Sequence, residues 1–176
     1  KNYENFEYII NNDAIIITKY NGYDTSVTIP EEIEGYKVIQ IGENVFQNCY
    51  KLQNITIPIG ITQIGMNAFS DCRVLQSVAI PYGVTKIEAN TFSGCSNLKS
   101  VKIPYRVTQI GENSFYECKA LNEIVIPDSV ITIEKSAFES SGLTSIKIPN
   151  SIEILSNRTF AKTNLSSVTF SNNLKS

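Results

Sequence analysis

One short pattern returns along the chain at a nearly constant interval. A phenylalanine recurs every 23 residues, with a single interval of 22 near the end. The six positions are Phe46, Phe69, Phe92, Phe115, Phe138 and Phe160. A fixed period of about 20–50 residues is typical of a solenoid, in which each unit buries its apolar face only by stacking on its neighbours.

Each unit combines a short alternating segment, a proline and one turn. After Leu75, Val78 and Ile80 alternate with small or polar residues, which indicates a half-buried strand. Pro81 ends this strand because proline has no N–H to donate. Stacked units therefore predict a mainly β solenoid: a right-handed coil with a parallel sheet of about seven strands and short one-turn helices.

The two ends of the chain depart from the repeat. Residues 1–25 are expected to form a capping β-hairpin around Asn12, and residues 26–176 a solenoid of about six repeats. The first repeat carries an insertion around 34–37, which we expect to bulge as a surface loop. A truncated unit begins at 171–174, so we expect an open strand edge and weak self-association through it.

Cysteine and asparagine form two further columns. The cysteines are Cys49, Cys72, Cys95 and Cys118, and the asparagines are Asn44, Asn67, Asn90 and Asn113. One cysteine per coil makes a line, whereas tetrahedral zinc needs converging ligands, so we expect a reduced core ladder rather than a metal site; disulfides are the alternative. Asparagine is a preferred N-cap residue, so we expect turn caps, with a ligand-binding ladder as the alternative.

Composition excludes several kinds of function. Histidine is absent, which excludes Ser-His-Asp and Cys-His catalysis and Cys-His zinc sites within these residues. The net charge is −2 without a basic run, so nucleic acid is not an expected partner. The longest purely apolar run, Ala14–Ile17, is too short for membrane insertion. We expect no catalytic residue, no metal and no cofactor.

A few surface residues are candidates for contact with a partner. Outward positions beside the strands are mostly small and polar, but they include Lys102, Glu123 and Lys147. Tyr82 and Tyr105 occupy equivalent positions after Pro81 and Pro104, so they are expected to stack at the edge. Tyr116 and Tyr50 are further aromatic candidates.

The repeat resembles the BspA-type leucine-rich repeat. The residues that carry the resemblance run from Ile80 and Pro81 through Phe92 and Cys95 to Leu98, and the pattern spans 26–174. Units five and six lack the cysteine. The resemblance implies a secreted or surface protein of host-associated bacteria or protozoa that binds host or extracellular matrix proteins, and it implies no catalytic residues.

The expected function is therefore a non-catalytic adhesion or protein-binding module at the cell surface, or in a secreted protein. Two alternatives remain open. In the first, the chain is a structural spacer. In the second, it is an ancillary domain of a larger surface protein or enzyme.

Overall fold

The structure is a computed structural model that describes residues 1–170. Within this range the backbone forms fifteen short strands and no helix. The strands are β1 (Asn2–Tyr3), β2 (Phe6–Asn11), β3 (Ala14–Tyr20), β4 (Ser26–Thr28), β5 (Glu32–Ile33), β6 (Tyr36–Ile41), β7 (Asn54–Thr56), β8 (Gln63–Ile64), β9 (Ser77–Ala79), β10 (Lys86–Ile87), β11 (Ser100–Lys102), β12 (Gln109–Ile110), β13 (Thr132–Ile133), β14 (Ser145–Lys147) and β15 (Ser167–Thr169). The unit predicted at 171–174, with its open edge, lies outside the described residues.

The chain begins with an antiparallel hairpin of β2 and β3. Its turn residues Asn12 and Asp13 have φ angles of 48° and 58°, a left-handed conformation that Asn and Asp tolerate well. β3 also pairs in parallel with β6 of the first coil. Ile15 and Ile17 are fully buried, so the hairpin covers the end of the coil stack.

The insertion in the first repeat forms a β-hairpin and not the bulging surface loop that its extra length predicts. β5 and β6 form an antiparallel hairpin joined by Glu34 and Gly35, whose φ angles are 53° and 82°. Two consecutive left-handed residues give a tight turn whose twist matches that of paired strands. The added residues therefore extend the sheet of the N-terminal hairpin.

Two rows of parallel strands run along the coils. In one row β4, β7, β9 and β11 pair in sequence, and β14 pairs with β15. The segment 122–126 between them is not a strand, although Ile124 and Ile126 are buried and Val125 is exposed. The predicted seven-stranded sheet is thus interrupted at one coil. At that coil the side chains still alternate between buried and exposed, although the backbone does not pair as a strand. The second row contains β6 with β8, and β10 with β12 and β13.

The recurring phenylalanines form a continuous stack through the core. Neighbouring ring centroids lie 5.2, 5.5, 5.5, 5.2 and 5.6 Å apart from Phe46 to Phe160, with interplanar angles of 15° or less. Phe6 and Tyr20 pack on Phe46 at the hairpin end. Such near-parallel rings at this spacing are offset, which avoids the repulsion of a face-to-face sandwich.

The expected one-turn helices are hydrogen-bonded turns, and this changes the explanation for the asparagine column. Asn44, Asn67, Asn90 and Asn113 have φ angles of 53–60°, as do Ser136 and Arg158 at the equivalent positions. An N-cap residue has an extended backbone, whereas these residues are left-handed, a conformation that asparagine adopts at low cost. The Asn67 amide also donates to Asn44 Oδ1 over 3.0 Å. Asparagine therefore recurs at this position because the turn requires a residue with a left-handed backbone conformation.

A second left-handed column follows four residues later in every unit. Its members are Asn48, Asp71, Gly94, Glu117, Ser140 and Lys162, with φ angles between 56° and 74°. The residues are chemically diverse, so the column is not apparent in the sequence. Each turn is thus closed by two left-handed residues.

Candidate functional site

An open groove of about 840 Å³ crosses the strand row between β9 and β15. Three sequence-predicted candidates, Lys102, Glu123 and Lys147, all line it. Lys102 ends β11 and Lys147 ends β14, while the equivalent residue of the coil between them is Val125. Parallel strands lie about 4.8 Å apart, so the two ammonium groups flank Val125 from neighbouring coils.

The charges of this groove are unbalanced. Lys99 joins Lys102 and Lys147 in its lining, against the single carboxylate of Glu123. Within residues 1–170, none of these four side chains forms an ion pair. The groove therefore presents three positive groups and one negative group that are free to interact with another molecule.

Val125 supplies an apolar contact among these charges. Its side chain is 82% exposed, although valine in a sheet is usually half-buried. Its chain neighbours Ile124 and Ile126 are buried in the core. An exposed branched side chain between two lysines combines apolar and ionic recognition in one small area.

Sequence analysis missed Lys99 as a member of the site. Lys99 lies just before β11 and two residues before Val101, whose side chain points inward. Strand alternation would therefore place the Lys99 side chain on the inward face as well. Because the alternation begins only at Ser100, Lys99 remains exposed and reaches the groove. The only sequence signal for Lys99 was its positive charge immediately before a predicted strand.

The tyrosine candidates do not join this groove. Tyr82 and Tyr105 contact each other with ring centroids 4.8 Å apart, but their rings are tilted by 57° and do not form the expected stack. The guanidinium carbon of Arg106 lies 5.2 Å from the centroid of the Tyr82 ring, which places a cation against the aromatic face. A hydrogen bond with Tyr82 and burial raise the pKa of Tyr105. The pair forms a separate aromatic position at the edge of the coils.

Tyr116 lies in a third place, in the turn after Phe115. The negative charge of Glu117 and a hydrogen bond with it raise the pKa of Tyr116, and the charges of Glu139 and Arg158 also act on its phenol. Glu139 is buried and accepts hydrogen bonds from the Arg158 guanidinium. The ion pair between Glu139 and Arg158 joins the two turns that follow, and the sequence pattern did not predict it.

The cysteines line the core and do not provide nucleophiles. Cys72, Cys95 and Cys118 are buried, Cys49 is partly buried, and all four are free thiols. Burial raises the pKa of Cys49 to about 11 and raises the pKa of the other three further. A nucleophilic cysteine requires a lowered pKa, so these thiols remain protonated at neutral pH.

The described part of the chain contains no group of three or more acidic or cysteine side chains placed to hold a metal ion. In the same residues there is no helix that is long and apolar enough to cross a membrane.

Solved structures of bacterial repeat proteins resemble this one closely. A T. pallidum leucine rich repeat protein has a TM-score of 0.90 and 29% identity, and the match covers 96% of this chain and 81% of that chain. A leucine rich cell surface protein from Faecalibacterium prausnitzii A2-165 has a TM-score of 0.76 and 32% identity, with coverage of 98% and 55%. A leucine-rich repeat protein from Bacteroides ovatus ATCC 8483 has a TM-score of 0.82 and 28% identity, with coverage of 99% and 54%.

A search of curated proteins gave no match. A family model described as the BspA type leucine rich repeat region matches residues 19–141 and 90–176, in six copies. This match extends over more than half of the chain, agrees with the repeat seen in the core, and agrees with the fold of the solved bacterial proteins. The chain therefore belongs to the BspA-type leucine-rich repeat family.

Proposed function

We propose that this chain is a non-catalytic protein-binding module of a cell-surface or secreted protein, which contacts its partner through the groove at Val125. Leucine-rich repeats are protein-interaction modules, which supports binding in general. The observation that carries the proposal is the set of three lysines around an exposed valine, none of which forms an ion pair in the described part of the chain.

The physical chemistry of the groove favours an acidic protein partner. Within residues 1–170, no carboxylate forms an ion pair with Lys99, Lys102 or Lys147, so these lysines are available to attract carboxylates of another protein. Because the coils are stacked on a continuous buried core, the groove is formed before binding and little conformational entropy is lost. An extended acidic segment with an apolar side chain near its centre would contact the lysines and Val125 together.

The location at the cell surface rests on a relative. The F. prausnitzii structure is that of a leucine rich cell surface protein, and we carry this location over as part of the proposal. Treatment of intact source cells with a protease should degrade the protein while a cytoplasmic marker survives. Equal survival of both proteins would contradict a surface location.

The binding test compares two charge-reversed variants. The purified protein is passed over a panel of immobilised extracellular matrix proteins, and the variant K102E/K147E is compared with K37E/K119E, which has the same net charge. Lys37 and Lys119 are exposed and lie outside the groove. We expect K102E/K147E to weaken binding about tenfold or more, while the control retains it.

Two results would overturn this proposal. One is the absence of binding to any member of the panel, which would favour a structural spacer. The other is equal affinity of both variants, which would place the contact elsewhere on the surface. Thermal unfolding of each variant shows that a loss of binding is not a loss of fold.

A further inference from the structure

A second cavity of about 490 Å³ lies at the N-terminal end, away from the groove. Its walls are the segment 19–24, which ends and follows β3, and the segment 47–52 of the first coil. This volume falls in the range of small-molecule binding pockets, about 300–1,000 Å³. None of its lining residues also lines the groove at Val125.

Two tyrosines stand exposed at this cavity. Tyr23 is 83% exposed and Tyr50 is 54% exposed. The Tyr50 hydroxyl donates to Asn48 Oδ1 over 2.9 Å, and the Arg73 guanidinium carbon lies 5.5 Å from the centroid of the Tyr50 ring. These two contacts hold the ring in place, so an exposed aromatic surface is available without a further loss of side-chain freedom.

The carboxylate of Asp24 is also held in a fixed position. Its Oδ2 accepts from the Tyr20 hydroxyl over 2.5 Å and from the Asn5 amide over 3.2 Å. Burial raises the pKa of Tyr20, so its hydroxyl stays protonated and donates. A Cβ at Gly22 would lie 2.3 Å from that hydroxyl, which explains glycine at this close approach. Within the described residues, Oδ1 of Asp24 has no hydrogen-bond partner and can accept from a ligand.

The remaining lining indicates the chemistry of the ligand. Amides are contributed by Asn21, Gln47 and Asn48, and an amide both donates and accepts hydrogen bonds. Leu52, the one aliphatic side chain of the lining, is buried in the core, so an aliphatic ligand would find no exposed apolar partner except the tyrosines and the partly buried Cys49. A pyranose ring matches this combination, since one face carries polarised C–H groups that pack on an aromatic ring and its edge carries hydroxyls.

We propose that this cavity binds one sugar unit of an uncharged oligosaccharide. The sugar ring packs against both Tyr23 and Tyr50, and its hydroxyls exchange hydrogen bonds with the free oxygen of Asp24 and with the Gln47 amide. An uncharged sugar is favoured because the lysines and the carboxylate of the lining nearly cancel: Lys19 lies 3.8 Å from Glu7, which leaves Lys51 against Asp24.

Saturation-transfer NMR tests this proposal with the intact chain. The probes are cello-, xylo-, manno- and β-1,3-gluco-oligosaccharides, together with a neutral lactosamine-type tetrasaccharide. We expect at least one probe to receive saturation at its ring C–H protons. Y23A and Y50A should each weaken that affinity about tenfold, whereas Y105A, which removes an exposed tyrosine elsewhere, should not.

Two outcomes would overturn the proposal: no probe binds, or Y105A weakens binding as much as Y23A and Y50A do. Because Tyr23 is almost fully exposed, its replacement should leave the unfolding midpoint unchanged, which separates binding from folding. The variant K102E/K147E should keep its saccharide affinity. A failure of protein binding at the groove is therefore distinguishable from a failure of sugar binding here.

Discussion

The Cys72 thiol donates a hydrogen bond to the carbonyl oxygen of Phe46, one coil earlier, over 3.1 Å. The contact recurs from Cys95 to the Phe69 carbonyl over 3.1 Å and from Cys118 to the Phe92 carbonyl over 3.2 Å. Cysteine thus fills two needs of the coil, because it packs as a small apolar side chain and supplies a weak donor to a buried carbonyl.

The thiols should differ sharply in reactivity. In the native protein we expect a disulfide reagent to modify Cys49 alone, and slowly, since burial raises its pKa to about 11. The rate should rise as the pH approaches that value, because the thiolate is the reacting species. Thiol titration should give four reactive groups in denaturant and none in native C49S. Fast modification of more than one thiol in the folded protein would contradict the core ladder.

Removal of a ring from the centre of the phenylalanine stack should be costly. Phe92 is fully buried and stacks on both Phe69 and Phe115. F92A should lower the free energy of unfolding by about 3–5 kcal/mol, measured by urea denaturation, because it leaves a cavity between two rings. F160A is the comparison, since Phe160 is only partly buried and should lose less. Equal losses would show that the stack does not determine stability.

Asn90 tests the role of the left-handed column. Its φ angle is 55°, so N90G should be nearly neutral, whereas N90T should cost about 1–2 kcal/mol because a branched side chain is strained there. A capping role predicts similar effects for the two variants, since threonine and glycine cap about equally well. Thermal or urea unfolding of the two variants distinguishes these explanations.

The ion pair between Glu139 and Arg158 should make stability depend on pH in the acidic range. Hydrogen bonds from Arg158 and Ser136 lower the pKa of Glu139 from 4.5 to about 2. A lowered folded-state pKa means that the stabilisation is fully present above the unfolded value and is lost as the pH falls from 4.5 through 2. Urea midpoints measured across this range should therefore fall with decreasing pH.

The matched variants for that prediction are E139Q and E112Q. E139Q removes the buried carboxylate, so the midpoint should be lower near neutral pH and should change less between pH 4.5 and 2. E112Q removes a carboxylate that lies 3.8 Å from the Lys135 ammonium. This ion pair is exposed and contributes little to the free energy of unfolding, so E112Q should keep the pH profile of the original protein. A pH profile of E139Q that parallels the original protein would assign the acid sensitivity to other groups.

The repeat predicted the coil stack well because stacking places equivalent residues over one another. Phe69 contacts Phe46 and Phe92 because the 23-residue spacing places the three rings at the same position of neighbouring coils. The turn chemistry was less predictable. Asparagine is compatible with both a cap and a left-handed residue, and only the φ angles distinguish the two. The second column, which contains Gly94 and Lys162, carries no common side-chain signal.

The surface sites depended only in part on the repeat spacing. The sequence by itself determined which residues stack in the core, because a constant period repeats one packing solution from coil to coil. The same period places Lys102, Val125 and Lys147 at equivalent positions, but only the tertiary structure added Lys99 to their groove, since Lys99 precedes the alternation of β11. The tertiary structure also formed the cavity at Tyr23 and Tyr50, which depends on how β3 packs beside β6. That pairing shifts register between Ile15 and Ile16, and no period specifies it.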